Sequence, residues 1–182
     1  MHLKKGNILV ADPSILNDDS FSRTVLLITE YHLKSTVGFI LNRPLAYTIK
    51  DILPEIDCNF VLYEGGPVAT DSLFYLHTIP HRIPNSHKIT KKIYAGGDFE
   101  IVKNLLRTKQ IKATDIRFFL GYAGWEKDQL EDELKNKSWF ISENNFSNIL
   151  SVDPSILWKN KLLEQGNEYE IWANAPKNIH LN

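Results

Sequence analysis

The sequence predicts an α+β fold, with a single domain over residues 1–182 that has a mixed, mainly antiparallel β-sheet and flanking helices. Segments rich in β-branched and aliphatic residues dominate the first half, and helical patterns are interspersed in the second half. The regular β-α-β alternation of a doubly wound sheet is missing. A length of 182 residues, with 43% hydrophobic and 24% charged residues, is ordinary for one globular domain that buries its own core.

Three strands are predicted before residue 42. Residues 7–11 (NILVA) form an apolar run that ends at Asp12 and Pro13. Residues 24–31 and 36–41 are rich in β-branched and aliphatic side chains, and only a short polar link separates them. We therefore expect two neighbouring strands, antiparallel to each other, of which the second stops at Asn42-Arg43-Pro44.

A short helix and two more strands follow. Thr48 is suited to cap a helix over 49–53, which Pro54 closes. Residues 60–63 are predicted as a strand that enters a turn at 64–67 (EGGP), and residues 73–79 (LFYLHTI) as a further strand.

Prolines at positions 80 and 84 bracket an irregular segment, after which residues 89–95 return to extended structure. A helix over 99–108 then begins at Gly96-Gly97-Asp98. Its apolar residues recur at intervals of three and four, which is typical of an amphipathic helix.

The stretch 116–134 is the segment around which we expect the chain to be organised. Residues 116–120 (IRFFL) predict a buried strand that ends at Gly121, and Gly124 predicts a tight turn. From Trp125 onward the pattern is helical, with Leu130 and Leu134 four residues apart.

The last third contains three further elements. Residues 139–142 are predicted as a strand, and Asp153-Pro154 as the start of a helix that ends at Gly166. Residues 169–172 predict either a last edge strand or a docked tail.

Composition favours the cytoplasm and excludes a membrane-spanning class. The single Cys58 suits a reducing compartment, and no apolar stretch reaches signal-peptide or membrane-spanning length.

The net charge of −1 is unevenly distributed, because residues 81–112 carry +6 and residues 113–170 carry −5. The basic segment is either a patch for an anionic partner or a solvated face whose charges are neutralised by the acidic segment.

Catalytic and metal signatures are weak. None of the eleven serines lies in a G-x-S-x-G motif, and Cys58 has no basic neighbour in sequence. His77, His81 and His87 are close in sequence, but the intervening prolines break any helix that would align their rings as metal ligands. We predict no metal and no cofactor.

Asp98 is placed to cap the helix after the 96–97 glycines, so we interpret these glycines as structural. The 64–67 segment lacks a nucleotide-binding continuation, and is either a simple turn or a close contact with another segment.

Trp125, Gln129 and Glu133 fall at i, i+4 and i+8, which is one face of the predicted helix. An indole, an amide and a carboxylate on one face either line a pocket or belong to the core and its boundary.

Five motifs in order resemble the AlgH/YqgE family. They are GNILVADP at 6–13 with Phe21 and 23–25, GFILNRP at 38–44, EGGPV at 64–68, LH at 76–77, and GYAGW at 121–125 with 129–131 and Glu133. This resemblance implies a bacterial, cytosolic, single-domain α+β protein. The family label, transcriptional regulator, comes from a branch associated with alginate production, and its members have no recognised DNA-binding motif. The positions carried over are Asn42, Arg43, Gly65, Gly66, Pro67, His77, Gly121, Gly124, Trp125, Gln129 and Glu133. Many members have a glycine where this chain has Asp128.

The leading hypothesis is a regulatory or adaptor protein without enzymatic activity. It would bind a protein partner or a small ligand at a surface built from Asn42-Arg43, residues 64–67 including Glu64, and the 121–129 turn including Tyr122. We expect neither direct DNA reading nor membrane binding. The alternative is a hydrolase in which His77 is the general base, Glu64 or Glu133 orients it, and Arg43 binds an anionic substrate.

Overall fold

A computed structural model describes residues 2–32, 34–126 and 128–176. Within them the strands are β1 (Ile8–Ala11), β2 (Val25–Tyr31), β3 (Ser35–Ile40), β4 (Pro44–Thr48), β5 (Val61–Glu64), β6 (Val68–His77), β7 (His87–Lys88), β8 (Tyr94–Ala95), β9 (Ile116–Glu126) and β10 (Trp139–Ser142). The α-helices are α1 (Ile49–Ile52), α2 (Phe99–Arg107), α3 (Gln129–Lys135), α4 (Pro154–Leu163) and α5 (Glu170–Asn174). Short 3-10 turns cover Pro13–Ile15, Ile149–Ser151 and Asn167–Tyr169. None of the helices described is long and apolar enough to cross a membrane.

One sheet connects these strands, in the order β10-β1-β2-β3-β9-β6-β8-β7. All pairs along this path are antiparallel, whereas β5 pairs with β9 in parallel and carries β4 on its other side. The sheet is therefore mixed and mainly antiparallel, and the predicted α+β class is confirmed.

The sheet curls until its ends approach each other. The Lys5 Nζ atom donates to the Lys88 carbonyl at 2.9 Å, which ties the β7–β8 hairpin to the segment that precedes β1. Gly6 lies on the same contact, because a Cβ atom there would be 2.9 Å from the Thr90 methyl group. This curl gives the sheet a concave face.

Two apolar clusters form the core. The larger cluster surrounds β1, β2 and β3 and includes Trp125, Trp139 and Trp158. The smaller cluster lies where α2 packs on β5, β6 and β9, with Val102, Leu105, Leu106 and Phe118 among its members.

Several predicted elements are confirmed. The strands near 7–11, 24–31, 36–41, 60–63 and 139–142, the short helix at 49, and the helices that begin after Asp98 and Asp153 all form. Local chemistry explains the helix starts. The Asp98 carboxylate accepts from the backbone N–H groups of Glu100 and Ile101, and the Asp153 carboxylate accepts from Ser155 with Pro154 at the first helical position.

The predicted turn at Gly121–Gly124 is wrong. Strand β9 continues through it to Glu126, and Gly124 pairs with Val37 of β3. Trp125 is a strand residue rather than a helix residue, and α3 begins only at Gln129. Gly121 has φ +70, but this left-handed residue makes a local irregularity and not a reversal, because four residues of β6 bulge opposite it.

Three other predictions need correction. Strand β6 begins at Val68, directly after the EGGP segment, instead of at residue 73. Pro44 does not end the extended structure but opens the edge strand β4, a position where its missing N–H is tolerated. Residues 89–95 form a hairpin loop and a two-residue strand, and residues 169–172 are helical, so the edge-strand alternative for this tail is wrong.

Candidate functional site

The glycine motifs meet where two backbone segments cross. Gly65 lies between β3 and β9, since its N–H donates to the Leu120 carbonyl at 2.8 Å and its carbonyl accepts from Ile40 at 2.9 Å. A Cβ atom at Gly65 would be 2.1 Å from the Gly121 oxygen, and one at Gly66 would be 2.2 Å from the Tyr122 carbonyl carbon. Of the two interpretations of the EGGP segment, the close contact with another segment is the one that the structure has. No side chain fits between the two backbone segments at this crossing.

Asn42 and Arg43 are engaged at the same end of the sheet. The Asn42 side chain accepts from the Val25 N–H and donates to the Arg23 carbonyl, both at 2.9 Å. The Arg43 guanidinium contacts the Glu64 carboxylate at 3.2 Å and donates to the Ser22 carbonyl at 3.2 Å. Both side chains therefore hold neighbouring backbone segments together next to the glycine crossing.

Glu133 organises a separate cluster. Its Oε2 atom accepts from the indole N–H groups of Trp125 at 2.9 Å and Trp139 at 2.7 Å, and its Oε1 atom accepts from Gln129 at 3.1 Å. Phe21 stacks on the Trp125 ring and meets the Trp139 ring edge-on. Trp125 is only 3% exposed, so the structure has packing and not a pocket at this indole. Trp125, Gln129 and Glu133 do meet, although Trp125 comes from a strand rather than from the predicted helix face.

His77 is fully buried at the end of β6. Its Nδ1 atom accepts from the Ile79 N–H at 3.3 Å, and its Nε2–H donates to the Gly96 carbonyl at 3.1 Å. Burial lowers the pKa of the imidazole, against a smaller raising effect of the Gly96 carbonyl. The ring is therefore a neutral structural group with both nitrogens engaged.

The other two histidines of the predicted cluster lie elsewhere. His87 and His81 line two different depressions of the surface, and neither shares the buried position of His77. Among the residues that the structure describes, no group of three or more His, Cys, Asp and Glu side chains could hold a metal ion.

A large cavity lies on the concave face of the sheet. This cavity, which we call the aromatic groove, has a volume of about 870 Å³. Its walls come from β2, β3, β6, β7, β8, β9 and the start of α2, and its phenylalanine and tyrosine residues are Tyr31, Phe39, Phe74, Tyr75, Phe99 and Tyr122. Phe74 contacts Phe39 at a ring-centroid distance of 5.7 Å and the Tyr122 ring edge-on at 5.6 Å.

Polar groups are confined to a few places in the groove. Lys5, Glu30, His32 and His87 line it, and the Glu30 and His32 side chains are 3.9 Å apart and largely exposed. Tyr75 donates to the Gly97 carbonyl at 2.8 Å. Burial, with a smaller effect of Asp98, raises the pKa of Tyr75 to about 12, so this hydroxyl stays protonated. The described lining contains no serine or cysteine nucleophile.

Of the predicted site residues, Tyr122 is the one that lines the groove. The glycine crossing fixes its position, because Gly66 packs directly against the Tyr122 backbone. Gly65, Gly66 and Gly121 form the crossing itself, and Arg43 contacts Glu64, the residue that precedes Gly65. Pro67 is exposed and directly precedes β6. Gly124 pairs with Val37, another groove residue.

Sequence reasoning missed the other groove residues. Phe39 and Phe74 come from β3 and β6, which lie on either side of β9, the strand of Tyr122, but are far apart in sequence. Gly96 and Gly97, interpreted as structural, also line the groove, and a Cβ atom at Gly96 would meet nothing within 4 Å. The available signal was the aromatic content of the individual strands, which does not reveal the strand order.

Comparison with known sequences gives one family. A family model described as DUF179, AlgH-like, matches residues 8–170. The chain is 38% identical to a UPF0301 protein of Bacteroides thetaiotaomicron over 175 residues, which cover 95% of this chain and 88% of that protein. It is 39% identical to UPF0301 protein BF2109 of Bacteroides fragilis over 181 residues, covering 98% and 91% respectively.

Two solved structures have the same fold. Protein DIP2367 of Corynebacterium diphtheriae superposes with a TM-score of 0.76 at 22% identity, covering 96% of this chain and 94% of that one. The solution structure of the AlgH protein of Pseudomonas aeruginosa gives a TM-score of 0.73 at 22% identity, with coverages of 97% and 99%.

Proposed function

Because the chain belongs to the AlgH-like family, we propose that it is a regulatory or adaptor protein that acts by binding a small amphipathic ligand in the aromatic groove. The protein would neither catalyse a reaction nor read DNA directly. An effect on transcription would then pass through the bound ligand or through a protein partner.

The shape and lining of the groove carry this proposal. Its volume of about 870 Å³ falls in the range of small-molecule sites, which are mostly apolar and contain a few polar groups that fix orientation. Phe39, Phe74 and Tyr122 offer flat apolar surface, which suits an aromatic or aliphatic ligand body. Lys5 and His87 offer donors at the rim, where an acidic or carbonyl group of the ligand would be received.

The engagement of the titratable candidates weighs against the hydrolase alternative. A general base must be within hydrogen-bond reach of its substrate, directly or through one water. Both His77 nitrogens contact backbone groups, Glu64 contacts Arg43, and Glu133 accepts from two indoles. None of these groups lines the groove among the residues described.

The cations of α2 weigh against direct DNA reading. A helix that reads DNA carries free basic side chains to phosphates and base edges. Lys103 contacts the Glu100 carboxylate at 2.5 Å, and the Arg107 guanidinium lies 3.9 Å from the Glu55 carboxylate.

The test is a groove-filling substitution with a matched control. Ala95 lines the groove in β8, whereas Ala46 is exposed on the edge strand β4. The fluorescent probe 8-anilinonaphthalene-1-sulfonate combines an aromatic body with an anionic group, so we expect it to bind the folded protein. Ala95→Phe should abolish saturable binding, and Ala46→Phe should retain it.

The proposal fails if both variants bind the probe as the wild type does, or if the folded wild type does not bind it saturably. Near-UV circular dichroism of both variants establishes that they keep the native fold. Arg43→Ala serves as a further comparison, since its guanidinium does not line the groove, and it should leave the probe affinity unchanged.

A further inference from the structure

The β7–β8 hairpin separates the aromatic groove from a second concavity, which we call the cationic cleft. The cleft lies between the hairpin loop and the segment 144–148 that follows β10. One part has a volume of about 480 Å³ and the other about 300 Å³. Both parts are lined by Lys91, Lys92, Ser147 and Asn148, so they adjoin along one strip. The larger part adds His81 and Tyr94 to this lining.

Apart from the apolar residues Pro80, Ile93, Phe146 and Ile149, the described lining consists of cations and neutral polar groups, and it contains no carboxylate. Lys91 and Lys92 are exposed and have no acidic side chain within 4.0 Å in the described part of the chain. The hydroxyl groups of Tyr94 and Ser147 are further donors. Such a set favours an anion over a neutral or cationic ligand.

In the part of the chain that the structure describes, no ion pair joins the basic segment 81–112 to the acidic segment 113–170. Of the eight basic residues between 81 and 112, Lys103 and Arg107 form ion pairs in the described structure. Their partners, Glu100 and Glu55, lie outside residues 113–170. Among the described residues, no ion pair therefore supports the interpretation in which the acidic segment neutralises the basic one.

The cleft also contains an unsatisfied acceptor. Asn144 lines the smaller part, and its Oδ1 atom is buried without a hydrogen-bond partner in the described structure. A buried carbonyl oxygen costs free energy unless it accepts a hydrogen bond, from water or from a hydroxyl group of a ligand.

We propose that the cationic cleft binds a small phosphate-bearing anion. Lys91 and Lys92 would contact the phosphate oxygens as point charges, with Tyr94 and Ser147 as hydrogen-bond donors. The dimensions favour a small molecule, because the two parts are at the lower end of small-ligand sites. A duplex would instead require an extended basic face with many phosphate contacts, and the α2 cations Lys103 and Arg107 are paired with carboxylates.

Isothermal titration calorimetry with inorganic pyrophosphate tests this proposal. The titration uses the full chain at about 0.15 M salt, where non-specific attraction between exposed charges is screened beyond roughly 8 Å. We expect saturable binding to the wild type. The double variant Lys91→Gln/Lys92→Gln should weaken it by about tenfold or more, since two charge-assisted hydrogen bonds are lost.

The control removes the same charge elsewhere in the same basic segment. Lys109 and Lys112 are exposed and do not line the cleft, so Lys109→Gln/Lys112→Gln should bind within about twofold of the wild type if only diffuse attraction is lost. Tyr94→Phe is a milder variant that removes one hydroxyl group. It should weaken binding by a few fold, and it keeps the test decisive if the double lysine variant does not fold.

Three results would overturn the proposal. The first is the absence of saturable binding to the wild type. The second is an equal loss in the two lysine double variants, which would indicate diffuse attraction only. The third is displacement of pyrophosphate by a short DNA duplex that depends on Lys91 and Lys92, which would assign the cleft to nucleic acid. Retention of 8-anilinonaphthalene-1-sulfonate binding by Lys91→Gln/Lys92→Gln separates this test from that of the aromatic groove.

Discussion

Removal of the Glu133 carboxylate should be the most informative perturbation of the core. Two buried indoles, Trp125 and Trp139, donate to the same oxygen, and Gln129 donates to the other. Hydrogen bonds to charged groups contribute about 1.5–3 kcal/mol each, and a buried donor left without an acceptor costs about 1–3 kcal/mol. The two kinds of loss are separable because different substitutions at Glu133 remove different parts of the interaction.

Glu133→Gln keeps one oxygen that can accept from both indoles, but it loses the charge and the acceptor for Gln129, so we expect a destabilisation of about 1–3 kcal/mol. Glu133→Ala leaves both indole N–H groups without this acceptor, and we expect about 2–6 kcal/mol. For a chain of this length each kcal/mol lowers the Tm by roughly 2–4 °C. Glu131→Gln is the control, because Glu131 accepts one exposed hydrogen bond from Tyr31 and should cost less than about 0.5 kcal/mol.

Urea unfolding monitored by tryptophan fluorescence gives the three free energies. The order Glu133→Ala, then Glu133→Gln, then Glu131→Gln, from most to least destabilised, is required by the geometry. If Glu133→Gln and Glu131→Gln have the same unfolding free energy, the indole pair is not stabilised by the carboxylate charge and the reasoning is wrong.

Three further outcomes follow from the structure. Gly65→Ala should destabilise by about 3 kcal/mol or more in urea unfolding, since its Cβ would be 2.1 Å from the Gly121 oxygen; a loss below about 1 kcal/mol would mean that the crossing can open. Burial lowers the pKa of His77 from 6.5, so as the pH drops the unfolded chain binds a proton at a higher pH than the folded chain does, and the free energy of unfolding should decrease below about pH 6.5. His77→Gln should flatten this pH dependence of the unfolding free energy. An unchanged slope in the variant would contradict the expectation. Tyr75→Phe removes the hydrogen bond to Gly97 and should lower the free energy of unfolding by about 1 kcal/mol, measured by thermal unfolding. It also removes the phenol whose pKa burial raises to about 12.

Local signals were sufficient for those elements whose ends are set by their own residues. The helices after Asp98 and Asp153 begin at side chains that cap them, and strands β1, β2 and β3 are bounded by polar or proline residues. The resemblance to the AlgH/YqgE family, drawn from five short motifs, is confirmed as far as the AlgH-like family extends. The α+β class required only the order of these elements.

Non-local packing explains the errors. Gly121 and Gly124 have the composition of a turn, but Gly121 is a glycine because Gly65 and Gly66 cross it, and that partner lies more than fifty residues earlier in the chain. Asp128 has φ +65, a left-handed conformation that favours glycine, which fits the glycine that the resemblance to the AlgH/YqgE family implies at this position. A residue at this position must therefore adopt a left-handed backbone conformation, and this requirement explains a glycine here without any backbone contact to a ligand.

The same distinction separates fold from function in this chain. The motif residues Gly65, Gly66 and Gly121 are committed to backbone contacts that hold β3, β5 and β9 together, and the Asn42 side chain ties the end of β3 to the start of β2. Residues used in this way cannot also select a ligand, because a substitution at them disturbs the sheet before it alters a binding surface. Under the proposed function, ligand selectivity would come from the side chains that line the groove, of which Phe39 and Tyr122 lie within the motifs and Phe74 lies outside them. A match to the motif glycines and Asn42 accordingly predicts the shape of the molecule, and under the two proposals the groove and cleft residues are the ones through which relatives with this shape would differ in what they bind.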